Sequence, residues 1–171
     1  MAEHAILRLD NVQATQDNSL MRSGLFYTVS GKTKTPTDID NGLPVNVGAL
    51  VSGERELREL TAGAANSAVL GITSTPELYS FDEIYDGTNL IDFYNRAGNA
   101  VRVHLLQAGD IFSVSAHAIT GTAPTVGALI GIDGGKWKVV ESSGLLTCIQ
   151  IETVSGTTLY VFEVNKNVIN Q

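Results

Sequence analysis

The segment from residue 101 to residue 115 constrains the fold of this chain most, because it reads as a strand, a tight turn and a second strand. Apolar residues at 101, 103 and 105 alternate with polar residues at 102 and 104, which is typical of a strand with one buried face. Gly109 and Asp110 then favour a chain reversal, since glycine adopts positive φ freely and an aspartate side chain bonds its own backbone. Ile111 restarts the alternation. The segment therefore predicts a β-hairpin.

Two further junctions indicate the same architecture. Residues 133–135 and 155–157 are short glycine-containing turns between runs rich in β-branched and aromatic residues, a pattern that predicts hairpins. With turns every ~8–12 residues in the C-terminal half, the chain is expected to be mainly β, an antiparallel β-barrel or sandwich with little helix.

The N-terminal half gives weaker signals, and it sets the expected domain boundaries. Residues 1–24 hold one short apolar run followed by polar residues and are predicted to form an extended arm or edge strand. Residues 25–171 are predicted to be one β-rich, capsid-binding domain, a role that depends on the resemblance described below. Within it we expect the following segments: strands at 25–29, 43–51 and 68–72, a loop at 30–37, a strand or single turn at 54–60, and an irregular loop at 73–99.

Bulk properties exclude several classes of partner. The apolar runs are far shorter than the ~18–20 residues that span a bilayer, and the first eight residues do not form a signal peptide, so no membrane partner is expected. The net charge of −7 disfavours binding to nucleic acid. Cys148 is the only cysteine, so it cannot form an intramolecular disulfide, and it is expected to be a small, partly buried hydrophobe.

The charge is unevenly distributed along the chain. Residues 61–95 contain no Lys or Arg, whereas the early segment is slightly basic. Scattered surface charge on a solvated chain is the preferred interpretation. The alternative is that this early segment contacts an acidic partner, and its cations are then the predicted partner-binding residues: Arg8, Arg22, Lys32 and Lys34.

A search for chemistry finds no catalytic, cofactor-binding or metal-binding motif, so an enzyme is not expected. Ser113, Ser115 and His117 are neighbours in sequence, but no acid is placed to orient the imidazole. Asp38 and Asp40 begin a stretch similar to a calcium loop, yet its glycine comes one residue early and no Glu stands at the twelfth position. A turn stabilised by these polar side chains is the preferred interpretation.

Trp137 is the only tryptophan. It lies between Lys136 and Lys138 in a predicted strand, so its side chain points away from both lysines. We expect it to be buried in the core, and the alternative is an exposed tryptophan that stacks on a carbohydrate.

Three segments together resemble the small capsid decoration (cement) proteins of tailed bacteriophages. They are residues 38–57 (DIDNGLPVNVGALVSGEREL), 95–103 (NRAGNAVRV) and 108–115 (AGDIFSVS). The resemblance covers residues 25–164, although 127–164 match only in β character. It implies a protein made in the host cytoplasm and attached to the outer capsid surface of the virion. It also implies binding to the major capsid protein, reinforcement of subunit junctions, and self-association as a homo-oligomer.

Two other functions remain open at this point. A carbohydrate- or receptor-binding β module on a virion surface would be favoured by an exposed Trp137. An enzyme with an undetected site would be favoured by a pocket that holds His104 or His117 against a carboxylate.

Overall fold

The structure of the chain, a computed structural model, describes residues 4–12, 18–77 and 93–165. Residues 78–92 of the predicted irregular loop lie outside the described residues. Within the described residues, the regular structure consists of thirteen strands and two short 3-10 turns (Asn18–Leu20 and Ala116–Ala118). The strands are β1 (Leu7–Asn11), β2 (Met21–Ser30), β3 (Thr33–Pro36), β4 (Pro44–Leu50), β5 (Leu57–Ala62), β6 (Leu70–Thr73), β7 (Val101–Leu105), β8 (Ile111–Ser115), β9 (Ile119–Thr120), β10 (Leu129–Asp133), β11 (Lys136–Val140), β12 (Leu146–Val154) and β13 (Thr157–Val164). The predicted mainly-β fold is therefore confirmed.

Five strands close into a small barrel. Their order is β2-β5-β4-β6-β7, and β7 pairs back onto β2, while β3 extends β2 on the outside of the ring. The pairings are antiparallel except for β2 with β5, which run parallel. Alternate residues of β4, β5 and β7 fill the barrel with apolar side chains: Val45, Val47, Leu60, Val101, Val103 and Leu105. Closure leaves these strands without free edges.

The other seven strands form an open sheet in the order β1-β8-β13-β12-β10-β11-β9. The predicted turns at 133–135 and 155–157 both connect paired strands, with Asp133 opposite Lys136 and Val154 opposite Thr157. Gly134 has a φ of 58° and Gly135 a φ of 77°, values that a two-residue hairpin turn requires and that glycine adopts without strain. Both hairpins are confirmed.

The main core lies between the inner face of this sheet and the outer face of the barrel. Trp137, Phe112 and Phe162 are fully buried there, with ring centroids 5.6–6.3 Å apart. The Trp137 indole N–H donates to the carbonyl of Gly42 at 2.8 Å, which ties β11 to the segment entering β4. The burial of Trp137 predicted above is confirmed, and the condition that favoured a carbohydrate-stacking tryptophan is not met.

Cys148 also belongs to this core and is fully buried. Burial raises the pKa of its thiol, an effect partly offset by a backbone hydrogen bond with Gln150. The expectation of a small hydrophobe thus agrees with its surroundings.

The predicted hairpin at 101–115 is wrong in one respect. β7 and β8 exist with the expected turn between them, but β7 pairs with β6 and β2, whereas β8 pairs with β1 and β13. The turn is held by the end of β13, because the Gly109 N–H donates to the carbonyl of Val164 and the Val164 N–H donates to the carbonyl of Asp110, both at 2.9 Å. The segment therefore carries the chain from the barrel into the open sheet.

Two boundaries in the N-terminal half also differ from expectation. β1 is paired with β8 at the sheet edge, and β2 begins at Met21, so no structural break occurs at residue 24. The predicted loop at 30–37 is instead the turn and second strand of the β2–β3 hairpin. β1 thus matches the edge-strand alternative expected for residues 1–24. At 30–37 the polar composition that indicated a loop belongs to the exposed edge strand β3, since an edge strand tolerates polar side chains on both faces.

Candidate functional site

The four predicted partner-binding cations do not form one cluster. Arg8 lies on β1 and pairs with Glu152 at 2.6 Å and with Asp10 at 3.4 Å. Lys34 lies on β3 and pairs with Glu59 at 2.5 Å. Lys32 is exposed in the β2–β3 turn. Arg8 and Lys34 each contact a carboxylate of the same chain, so their charges are largely compensated.

Arg22, the fourth, lines a groove beside the first residues of β2 and β5. This groove has a volume of about 460 Å³, and four arginines line it together with one carboxylate, Glu56. We call it the arginine groove and define it by its four cations: Arg22, Arg55, Arg58 and Arg102.

Strand pairing brings these arginines together from three parts of the chain. β2 lies between β7 and β5, so Ser23 is opposite Arg102 on one side and Gly24 is opposite Arg58 on the other. The Arg22 guanidinium donates to the carbonyls of Ser19 and Met21. No salt bridge within the described residues engages any of the four arginines. The groove therefore presents an excess of positive charge, four arginines to one glutamate, on a chain whose net charge is −7.

Sequence reasoning identified Arg22 and missed the other three. Arg55 and Arg58 fell in a segment that was interpreted only for its backbone conformation, and Arg102 was treated as the polar face of a strand. The spacing of Arg55 and Arg58 was visible in the sequence. The neighbour relation with Arg102 was not, because it depends on the closure of the barrel.

A second feature, which we call the polar cavity, adjoins this groove and shares Arg102 with it. Its volume is about 490 Å³, and it lies between β1 and the outer face of β6 and β7. Apolar side chains form one part of its lining and polar side chains the other. They are Leu7, Leu9, Met21 and Pro76 on the apolar side, and Asn41, Ser74, Thr75, Glu77, Arg102 and His104 on the polar side.

Two of the residues that line this cavity carry a buried polar atom without a hydrogen-bond partner in the described structure. These are the Ser74 hydroxyl and the Nδ1 atom of His104, in side chains that are 7% and 3% exposed as residues. Asn41, by contrast, is fixed by hydrogen bonds to the backbone of Thr75 at 2.8 and 3.0 Å. A buried polar group without a partner costs stability, so a hydrogen-bonding ligand that reached these two groups would stabilise the folded chain.

Burial shifts the pKa values of two side chains that line the cavity. It lowers the pKa of His104 to about 4, and the positive charge of Arg102 acts in the same direction. It raises the pKa of Glu77, against the opposing effect of a hydrogen bond from Asn41. At neutral pH His104 is therefore an uncharged imidazole with one donor and one acceptor nitrogen.

The polar cavity contains His104 and Glu77, the combination that would favour an enzyme. A nucleophile must contact its base, however, and the Ser74 hydroxyl has no hydrogen-bond partner, so it is not bonded to His104. Within the described residues no group of three or more His, Cys, Asp or Glu side chains could hold a metal ion.

The residues considered earlier for catalysis have structural contacts. The Ser113 hydroxyl donates to Asp10 at 2.6 Å, and the Ser115 hydroxyl accepts the Ile6 N–H at 2.9 Å. Both serines thus attach the N-terminal segment to β8. His117 lies in the 3-10 turn, where its carbonyl accepts a hydrogen bond from Lys136 at 2.8 Å.

The aspartates of the predicted polar turn also accept hydrogen bonds from other segments. Asp38 accepts the Ala97 N–H at 2.7 Å, and Asp40 accepts the Ala5 N–H at 3.1 Å. Asp40 also contacts the His4 Nδ1 atom at 2.6 Å. These carboxylates therefore hold neighbouring segments in place, in agreement with a turn stabilised by polar side chains.

Comparison with known protein families finds a match over most of the chain. Residues 19–134, more than half of the chain, match the family of YonC prophage proteins. The match spans every strand of the barrel and all four arginines of the groove. No curated protein and no solved structure matches the chain. In the described part of the chain, no helix has the length and apolar character needed to cross a membrane. The chain is thus of phage origin, and it belongs to the YonC prophage protein family.

Proposed function

We propose that this prophage protein is a capsid decoration protein that binds the outer surface of an assembled phage head and stabilises its subunit junctions. The observation that carries the proposal is the arginine groove. An arginine pairs with carboxylates through two parallel hydrogen bonds, so a groove lined by four arginines suits an acidic segment of the major capsid protein.

The rest of the molecule favours a protein partner over nucleic acid. Polyphosphate binding requires positive charge spread over a long surface, whereas the positive charge of this groove is local and the chain as a whole carries −7. Such a groove fits a short acidic protein segment and leaves the remaining surface to repel DNA.

A lattice also explains how a modest groove gives stable attachment. If the protein contacts two capsid subunits, or assembles with its own copies at a junction, the second contact is effectively intramolecular and the combined affinity rises by about 10²–10⁴-fold. We therefore expect tight binding to assembled heads, weak binding to free capsid subunits, and a location on the virion after synthesis in the host cytoplasm.

The test uses undecorated heads of the phage, mixed with the full chain and separated by sedimentation. The variant Arg55→Ala/Arg58→Ala removes two charges from the groove, and the matched control Lys32→Ala/Lys34→Ala removes two charges outside it. Because a hydrogen bond to a charged group contributes about 1.5–3 kcal/mol, we expect the arginine variant to bind at least about tenfold more weakly. The lysine variant should bind nearly as the wild type does.

Each alternative outcome has a clear meaning. Loss of binding by the lysine variant alone would place the contact on the β2–β3 turn and remove the groove from the proposal. A wild-type chain that binds no heads would overturn the decoration function itself.

A further inference from the structure

The polar cavity is lined by hydrogen-bonding side chains that the proposed capsid contact does not use. Ser74 directly follows the last residue of β6. It lies opposite Arg102 of β7, since the Ser74 N–H donates to the Arg102 carbonyl at 2.8 Å. His104 lies two residues further along β7 and therefore on the same outer face of the barrel. The Ser74 hydroxyl and the His104 Nδ1 atom both belong to residues that line the cavity, and both are buried without partners in the described structure.

The hydrogen-bonding character of these groups indicates the class of ligand. A serine hydroxyl and a neutral imidazole each offer both a donor and an acceptor, and a ligand hydroxyl group offers the same pair. One glutamate and one arginine stand in the lining, so the cavity has no strong excess of either charge. This combination suits an uncharged ligand with several hydroxyl groups better than an anion or a cation.

Size and apolar lining support the same class. A volume of about 490 Å³ lies within the usual range for small-molecule sites. Leu7, Leu9 and Met21 supply an apolar wall, against which the C–H groups of a sugar ring can be buried. The rigid Asn41, bonded to the Thr75 backbone, supports the polar side.

We propose that the polar cavity is a saccharide-binding site in which Ser74 and His104 hydrogen-bond the hydroxyl groups of one sugar unit. This proposal does not depend on capsid binding. The residues altered in the capsid test, Arg55 and Arg58, do not line the cavity.

The experiment titrates the full chain with free sugars and follows backbone amide NMR shifts. The probes are glucose, galactose, N-acetylglucosamine and the disaccharides maltose, lactose and chitobiose. We expect at least one to bind with millimolar or better affinity and to shift amides of residues 74–77 and 102–105. Ser74→Ala should weaken that binding about tenfold, the effect of losing one well-placed hydrogen bond.

Two more variants separate binding from folding. Ser115→Ala is a matched control, because Ser115 is also a buried serine, its hydroxyl accepts the Ile6 N–H, and it does not line the cavity. It should lower the melting temperature and leave sugar affinity unchanged. Ser74→Ala should not lower the melting temperature, since it removes a hydroxyl that has no partner. His104→Leu should also lose binding.

Three results would overturn the proposal. They are the absence of shifts with every sugar, equal binding by wild type and Ser74→Ala, and shifts produced by inorganic phosphate but by no sugar. The last result would make the cavity an anion site centred on Arg102.

Discussion

At the residue scale, His104 links the polar cavity to the stability of the whole chain. Its pKa in the folded protein is about 4, below the ordinary value of about 6.5 for an exposed histidine. Between these two values the unfolded chain binds a proton at this residue and the folded chain does not. The free energy of unfolding should therefore fall as the pH falls through this range, by about 3 kcal/mol in total.

Urea unfolding at about pH 7.5 and about pH 4.5 measures this effect. The variant His104→Leu should lose less stability between the two pH values than the wild type does. His117→Asn is the matched control, and it should keep the wild-type dependence because His104 is still present. Equal pH dependence of the wild type and His104→Leu would show that His104 does not titrate as a buried group.

Trp137 is the residue on which the main core depends most. Trp137→Ala should lower the free energy of unfolding by about 3–5 kcal/mol, because it leaves a large cavity against Phe112 and Phe162. Trp137→Phe keeps most of the packing but removes the donor to the Gly42 carbonyl, and it should cost about 1–3 kcal/mol. Chemical denaturation measures the free energy of unfolding of both variants and so separates packing from the hydrogen bond. Equal losses of stability would assign the whole effect to the hydrogen bond.

At the scale of elements, the β10–β11 turn contacts the barrel as well as closing a hairpin. A Cβ atom at Gly135 would lie 2.9 Å from the Ala62 Cβ atom at the end of β5, whereas one at Gly134 would meet nothing within 4 Å. Gly134→Ala should cost about 1 kcal/mol from its positive φ. Gly135→Ala should cost about 1–3 kcal/mol more than Gly134→Ala, because its new Cβ atom would also overpack against Ala62. Thermal unfolding of both variants, and of Gly135→Ala combined with Ala62→Gly, measures the contact.

The limits of sequence reasoning also lie at this scale. The turns at 133–135 and 155–157 were predictable because their geometry depends on local residues. The partners of β7 and β8 were not, since both strands show the alternation of a hairpin and their actual partners, β2 and β6 for β7 and β1 and β13 for β8, are distant in sequence. The arginine groove was missed for the same reason: β2 must pair with both β5 and β7 before Arg58 and Arg102 become neighbours.

At the scale of the whole molecule, the N-terminal segment connects the two sheets. β1 pairs with β8 in the open sheet. Just before β1, the Ala5 N–H donates to the Asp40 carboxylate. Asp40 lies between the β2–β3 hairpin and the barrel strand β4. Ala5 and Val12 are buried in the main core. The early segment predicted as an arm is therefore part of the folded domain between residues 4 and 12.

Deletion of residues 1–12 tests this role. It should lower the free energy of unfolding by about 3 kcal/mol or more, because it exposes the apolar surface that Ile6 and Val12 cover. It should also promote self-association, since β8 becomes an unprotected edge strand. Arg8→Ala is the matched control and should cost less than about 1 kcal/mol, because it breaks only exposed ion pairs. Calorimetry and light scattering distinguish the two variants. A deletion that leaves both the melting temperature and the oligomeric state unchanged would restore a detachable arm, whose only effect would then be on capsid binding.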